Sequence, residues 1–166
     1  MKIGLIDVDG HNFPNLALMR ISAWHKAKGD TVEWWSSEFE YYDIVYMSKV
    51  FSDAYSQEGH TPMNCGKVIK GGTGYCIKLK NGREVFDQSK NTTLPDEIER
   101  MFPDYSIYPQ FDFAVSMTSR GCPRGCGFCH VAPKEGRASV KVADVQDFWA
   151  GQKEIKVLDP NITACF

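Results

Sequence analysis

Lys2–Gly29 reads KIGLIDVDGHNFPNLALMRISAWHKAKG. Its opening run, Lys2 to Val8, is short, apolar and β-rich. The turn-rich DGHNFPN follows, and LALMRISAWHKAKG then takes up helical periodicity. Leu16, Met19, Ala23 and Ala27 fall on one helical face, Asn15 is placed to cap the helix and Gly29 to stop it. Strand, turn and helix in that order begin a βαβ unit, and the next segments continue it. TVEWW (31–35) and YDIVYMSKVF (42–51) are strand-like, and KVIKGGTGY (67–75) is a strand running into a glycine turn. Strands alternating with a helix predict an α/β fold: a Rossmann-like parallel sheet with any ligand crevice at the carboxyl ends of its strands. Beyond it, NGREVF (81–86) reads as a hairpin arm, PDEIERMF (95–102) as a short helix beginning at Pro95, and FPDYSIYPQF (102–111) as an extended connector. The chain divides near Pro109, giving a domain over 1–110 and a second unit over 111–166.

The 166 residues carry a formal net charge of -2, with charged residues interspersed, so there is no basic field to attract nucleic acid or anionic lipid. Trp34, Trp35, Tyr41, Tyr42, Tyr46 and Phe51 are not interleaved with basic residues and read as core and crevice wall rather than a base-stacking platform. Asp7, Asp9 and His11 interrupt the N-terminal apolar run, which excludes a signal-peptide core, and no run approaches the ~18 apolar residues of a membrane span. The expected location is the cytoplasm.

Past the connector the pattern restarts. FAVSMTS (113–119) reads as a strand, VADVQDFWAG (142–151) as a helix and KEIKVLDP (153–160) as a parallel strand, one βαβ unit. Its first loop, TSRGCPRGCGFCHVAPKEG (118–136), holds Cys122, Cys126 and Cys129 in the spacing C-x3-C-x2-C. Crowded cysteines in a chain without an export signal favour a metal over disulfides. Iron–sulfur clusters take thiolate ligands, and a structural zinc site closes with four ligands, so three cysteines without a fourth either borrow a ligand or leave a position open for chemistry. Gly121, Gly125 and Gly127 let the loop wrap tightly, and Pro123 restricts it. A zinc knuckle completed by His130 or Cys165, or three free thiols, are the alternatives. Cys65, Cys76 and Cys165 are scattered and read as unpaired, mostly buried thiols. Lys134, Glu135 and Arg137 read as solvated.

The stretch TSRGCPRGCGFCHV resembles the cluster loop of the radical SAM superfamily. That resemblance implies that Cys122, Cys126 and Cys129 hold a 4Fe-4S cluster whose fourth iron takes S-adenosylmethionine. It further implies reductive cleavage to a 5′-deoxyadenosyl radical that abstracts hydrogen from a substrate. By position, Phe128 would lie beside the adenine, and strand 113–119 would be the first of a partial β/α barrel. Where the family often has Gly-Gly-Glu at the end of the second strand, this chain has Leu158-Asp159-Pro160-Asn161, so Asp159 and Asn161 take that place as cofactor-binding groups. A Rossmann-like domain ahead of such a core is similar to the cobalamin-binding branch. The matching residues are Asp9-Gly10-His11, Ser48-Lys49-Val50 and Gly71-Gly72, but Pro14 replaces a glycine and Val50 a leucine, and both departures weigh against cobalamin.

A complete β/α barrel takes ~250 residues. The residues after Phe111 are too few for it, and the expectation is a truncated core that cleaves S-adenosylmethionine poorly alone. The implied partners are an electron donor such as a flavodoxin or ferredoxin, an unidentified substrate, and a second chain completing the barrel. The competing class is a non-catalytic α/β binding or interaction module whose cysteine loop is a zinc or remnant metal site.

Overall fold

In the computed structural model the described residues run from Met1 to Cys165; the Cys165 side chain, a candidate zinc ligand, lies outside them. The chain forms two compact units, Met1–Pro109 and the residues from Gln110 onward.

The first unit is a mixed α/β structure. Strands β1 (Lys2–Asp7), β2 (Thr31–Trp34), β3 (Tyr42–Ser48) and β4 (Cys65–Gly71) form one parallel sheet in the order β2-β1-β3-β4, a Rossmann-like arrangement. Helix α1 (Leu16–Ala27) connects β1 to β2. The Asn15 side chain accepts a hydrogen bond from Leu18 N, and Gly29 ends the helix at φ 81°. Ile3 and Leu5 of β1 join Leu18, Ile21 and Ile98 in one cluster, while Tyr42, Val45 and Met47 of β3 form another. A Cβ on Gly4 would stand 3.0 Å from the Tyr42 ring, so the small residue makes room for the aromatic one.

The face that α1 buries differs from the expected stripe. Leu18, Ile21, Ser22 and His25 are buried, Leu16 and Ala23 are half-buried, and Ala27 is exposed. Two of those buried residues are polar, and burial requires that they be satisfied. Ser22 Oγ donates to Asp104 Oδ2 at 2.6 Å, while His25 sits between Asp30 Oδ2 at 2.7 Å and the Tyr46 hydroxyl at 3.0 Å. Two of the aromatics read as core or crevice wall are exposed, Tyr41 at 56% and Phe51 at 58%, because they lie on loops after the strands or at their edges.

Strands β5 (Ile77–Lys80) and β6 (Arg83–Phe86) form the expected hairpin, turned by Asn81 and Gly82 at φ 51° and 72°. A one-turn helix, α2 (Asp96–Glu99), starts after Pro95. The connector carries a 3-10 turn at Tyr105–Ile107, and Tyr108 beyond it is 1% exposed.

In the second unit, β7 (Phe113–Ser116) pairs in parallel with β10 (Glu154–Val157). Between them lie β8 (Ser119–Arg120), α3 (Val131–Glu135) and β9 (Val140–Lys141), with β8 antiparallel to β9. All of β7 is buried, whereas Ile155 and Val157 of β10 are each 39% exposed. The helix expected over 142–151 is absent, replaced by a single 3-10 turn at Val145–Asp147. Asp144 and Asp147 form a capping box at the start of that turn, with Asp144 N donating to Asp147 Oδ2 at 2.7 Å. Val142 N is drawn to Thr118 O at 2.8 Å, and Gly151 at φ 95° closes the segment before a helix can propagate. Among the described residues, no helix is long and apolar enough to cross a membrane.

Gly72 stands at φ 103°, where a Cβ would meet Lys49 O at 2.2 Å, while Gly10 at φ 83° faces open space. Gly72→Ala is therefore expected to cost about 3 kcal/mol, from strain and clash together, and Gly10→Ala about 1 kcal/mol from backbone conformation alone. Urea unfolding of the two variants, followed by tryptophan fluorescence, measures that order.

Candidate metal centre

The cysteine loop starts where β7 ends, and Asp159, just beyond β10, fixes the starting point. Its carboxylate accepts from Thr118 N at 2.6 Å, Thr118 Oγ1 at 2.6 Å and Ser119 Oγ at 2.7 Å. This capture breaks the expected strand 113–119 after Ser116, so that β8 swings to pair with β9. Burial pushes the Asp159 carboxyl up, but the hydrogen bonds from Thr118 and Ser119 outweigh it and hold the group below its ordinary range. Both oxygens of Asp159 are thus committed to the foot of the loop. A contact with a cofactor, the role the resemblance implied, would compete with that bracing.

The loop folds tightly through its glycines. Gly121 has φ 83°, and a Cβ there would lie 2.0 Å from Ala138 O. Gly121 N donates to Glu135 Oε2 at 3.3 Å, Cys122 N to Gly136 O at 3.2 Å, and Cys129 N to Cys126 O at 3.0 Å. Gly125, at φ 58°, lies under the Arg137 guanidinium, whose nearest nitrogen would be 2.8 Å from a Cβ. Glu135 is therefore part of the loop's structure: its side chain is 9% exposed, contrary to the solvated role expected of it. Arg137 is exposed, as expected, yet covers the glycine. Short helix α3 follows directly, with Lys134 N donating to His130 O at 3.1 Å.

Cys122 and Cys129 are half-buried, Cys126 is exposed, and all are free thiols. Asn161 Nδ2 donates to Cys122 Sγ at 3.4 Å. That bond, together with the backbone N–H and charge of Arg124, outweighs desolvation and lowers the pKa of the Cys122 thiol. Phe128 is 87% exposed on the same loop. A cleft of about 230 Å³ opens at the foot of the loop, lined by Thr118, Ser119, Lys141, Asp144, Val145 and Ile162 among others. The three thiols share a loop but do not converge: among the described residues, no three His, Cys, Asp or Glu side chains are placed to hold a metal ion. The donor set nevertheless suits an iron–sulfur cluster, with three free thiols on one glycine-shaped loop and an N–H directed at a ligand sulfur. Cys65 (half-buried) and Cys76 (buried) belong to the first unit.

The residues of the first unit that match the cobalamin pattern make contacts within that unit. The Asp9 carboxylate accepts from Val50 N at 2.6 Å and Phe51 N at 3.3 Å, tying the loop after β1 to the loop after β3. His11 stacks on Trp34 with ring centroids 4.2 Å apart and meets Tyr108 edge-on at 5.7 Å. Pro14 is buried, Ser48 Oγ accepts from Asn15 Nδ2 at 2.9 Å, and Gly72 admits Lys49 O. Tyr108 donates to Asp7 Oδ2 at 2.6 Å, which raises the tyrosine's own pKa, mainly through burial and then through that carboxylate. Sequence alone assigns Tyr108 no role and Glu135 a solvated one, because the burial of each against its partners is tertiary.

No protein-family model, curated protein or solved structure significantly matches the chain.

Asp159→Ala would strand the Ser119 hydroxyl, which is 1% exposed, and should destabilise the second unit by about 1–3 kcal/mol. Amide exchange at Thr118 should accelerate accordingly. Because the folded carboxyl titrates below its unfolded value, this stabilisation is present above the ordinary carboxylate range and is lost as pH falls through the depressed folded value. Hydroxocobalamin titrated into the full chain is expected to show no spectral change; a shifted corrin band would reinstate that cofactor.

Proposed function

We propose that this chain is an iron–sulfur protein of the radical SAM type. In this reading Cys122, Cys126 and Cys129 hold three irons of a 4Fe-4S cluster, and the fourth iron takes S-adenosylmethionine. The observation that carries the reading is the loop itself: three free thiols in C-x3-C-x2-C spacing, wrapped by Gly121 and Gly125 at the carboxyl end of a parallel strand pair. On this reading β7 and β10 are the first strands of a partial β/α barrel. A bound 4Fe-4S cluster held by Cys122, Cys126 and Cys129 would supply the one electron needed for reductive cleavage of S-adenosylmethionine to methionine and a 5′-deoxyadenosyl radical.

The chain's own residues bind and orient. The three cysteines lose their thiol protons to become ligands. Asp159 holds Thr118 and Ser119 so that the loop leaves β7 in one direction. Exposed Phe128 offers an aromatic face to the adenine. An external one-electron donor of the flavodoxin or ferredoxin kind completes the system, which works in the cytoplasm on a substrate whose contacts lie outside this chain's motifs.

A second reading, a non-catalytic module with a zinc or bare cysteine loop, is favoured by the thiols' failure to converge. Anaerobic reconstitution with iron and sulfide separates the two. The chain should become brown and bind about four irons and four sulfides. Replacing Cys122, Cys126 or Cys129 by Ala should abolish that uptake, while Cys65→Ala and Cys76→Ala should leave it intact. Uptake of zinc alone, in tetrahedral geometry, would overturn the proposal. Deoxyadenosine formed under dithionite reports whether cleavage follows.

A further inference from the structure

Asn161 stands beyond β10 and Asp159, and Cys122 begins the cysteine motif, yet the two side chains meet at 3.4 Å. Asp159 clamps the same segment to Thr118 and Ser119. Pro160 lies between the clamp and Asn161, so the asparagine is delivered to the sulfur by an anchored, stiff stretch of backbone. The orientation of its amide is fixed from the other side: Thr163 Oγ1 donates to Asn161 Oδ1 at 3.0 Å, which leaves the NH2 group to face Cys122. The resemblance places Asn161 as a cofactor-binding group; in the structure its amide faces the Cys122 sulfur.

We infer that Asn161 is a positioning residue that raises the reduction potential of the metal centre through its hydrogen bond to Cys122. The inference rests on the cluster reading above. A donor aimed at a ligand sulfur withdraws negative charge from it, and reduction adds negative charge to the cluster and its thiolates. The bond therefore strengthens on reduction and favours the reduced state. Asn161 also limits where Cys122 can move when the thiols gather, making it the fixed corner of the site, with exposed Cys126 as the corner that travels.

The test uses the full chain, reconstituted anaerobically with iron and sulfide, without S-adenosylmethionine. Iron and sulfide content is measured first, then the midpoint potential by redox titration with EPR detection of the reduced cluster. Asn161→Leu keeps the volume and removes the donor. It is expected to lower the reduced-to-oxidised ratio about tenfold at fixed poise, a shift of about 59 mV to more negative potential for one electron. Asn161→Asp, which puts a carboxylate beside the sulfur, should shift further in the same direction, and Asn161→Gln, which keeps the donor, should recover part of the change. A parent chain that takes up no cluster overturns both this inference and the proposed function. A parent that loads, with variants at unchanged potential, overturns this inference alone. Should Asn161→Leu fail to load, pulsed EPR of the reduced parent carrying 15N-labelled asparagine replaces it: nitrogen hyperfine coupling to the cluster supports the bond, and its absence overturns it.

Discussion

The carboxylate of Asp159 is the point on which the second unit turns. A parallel strand pair brings the ends of β7 and β10 side by side, and Asp159 converts that adjacency into a definite exit for the chain by taking the Thr118 N–H and the Thr118 and Ser119 hydroxyls. Everything downstream inherits the direction. The backbone bends after Ser116, Thr118 O is freed to receive Val142 N, β8 finds β9, and Gly121 comes under Ala138 O. A charged acceptor serving three donors is stronger than a neutral one, which suits a place where a short sheet must hold a long loop.

Much of the first unit's fold was legible in the chain. Alternating apolar runs with one capped helix between them specify parallel pairing, and Asn15, Gly29 and the Asn81-Gly82 turn each act where their local chemistry places them. The buried face of α1 was not legible. A hydrophobic stripe counts Leu16 and Ala27 and ignores Ser22 and His25, yet the latter are the buried pair. Ser22 is satisfied by Asp104 and His25 by Asp30 and Tyr46, partners that only the folded chain supplies. Polar burial is a tertiary property, and periodicity is blind to it. The lost helix at 142–151 has the same origin: apolar spacing suggested it, while the demand of Thr118 O for the Val142 donor and the turn at Gly151 decided against it.

At the candidate site the three cysteines and their spacing were legible because they are local. Roles were harder to read. Asp159 and Asn161 stood out as polar residues at a strand end, and both do reach the cysteine loop, one to its foot and the other to a sulfur. Neither destination follows from their position in the chain, since each depends on the register of β10 against β7. Gly72 and Asp9 also join neighbouring loops of the chain's own sheet, contacts that their place in a sequence pattern does not specify.

The outer side of β10 has a further consequence, one of symmetry. Its backbone pairs with β7 on one side, and Ile155 and Val157 stay partly in solvent. If two copies meet through this strand across a two-fold axis, the strands must run antiparallel and the assembly closes at two. A parallel pairing of the same edge with a different surface is head-to-tail: it closes into a ring where its rotation closes and propagates as a filament where it does not. Strand polarity at one short edge thus separates a two-fold pair from a ring or filament.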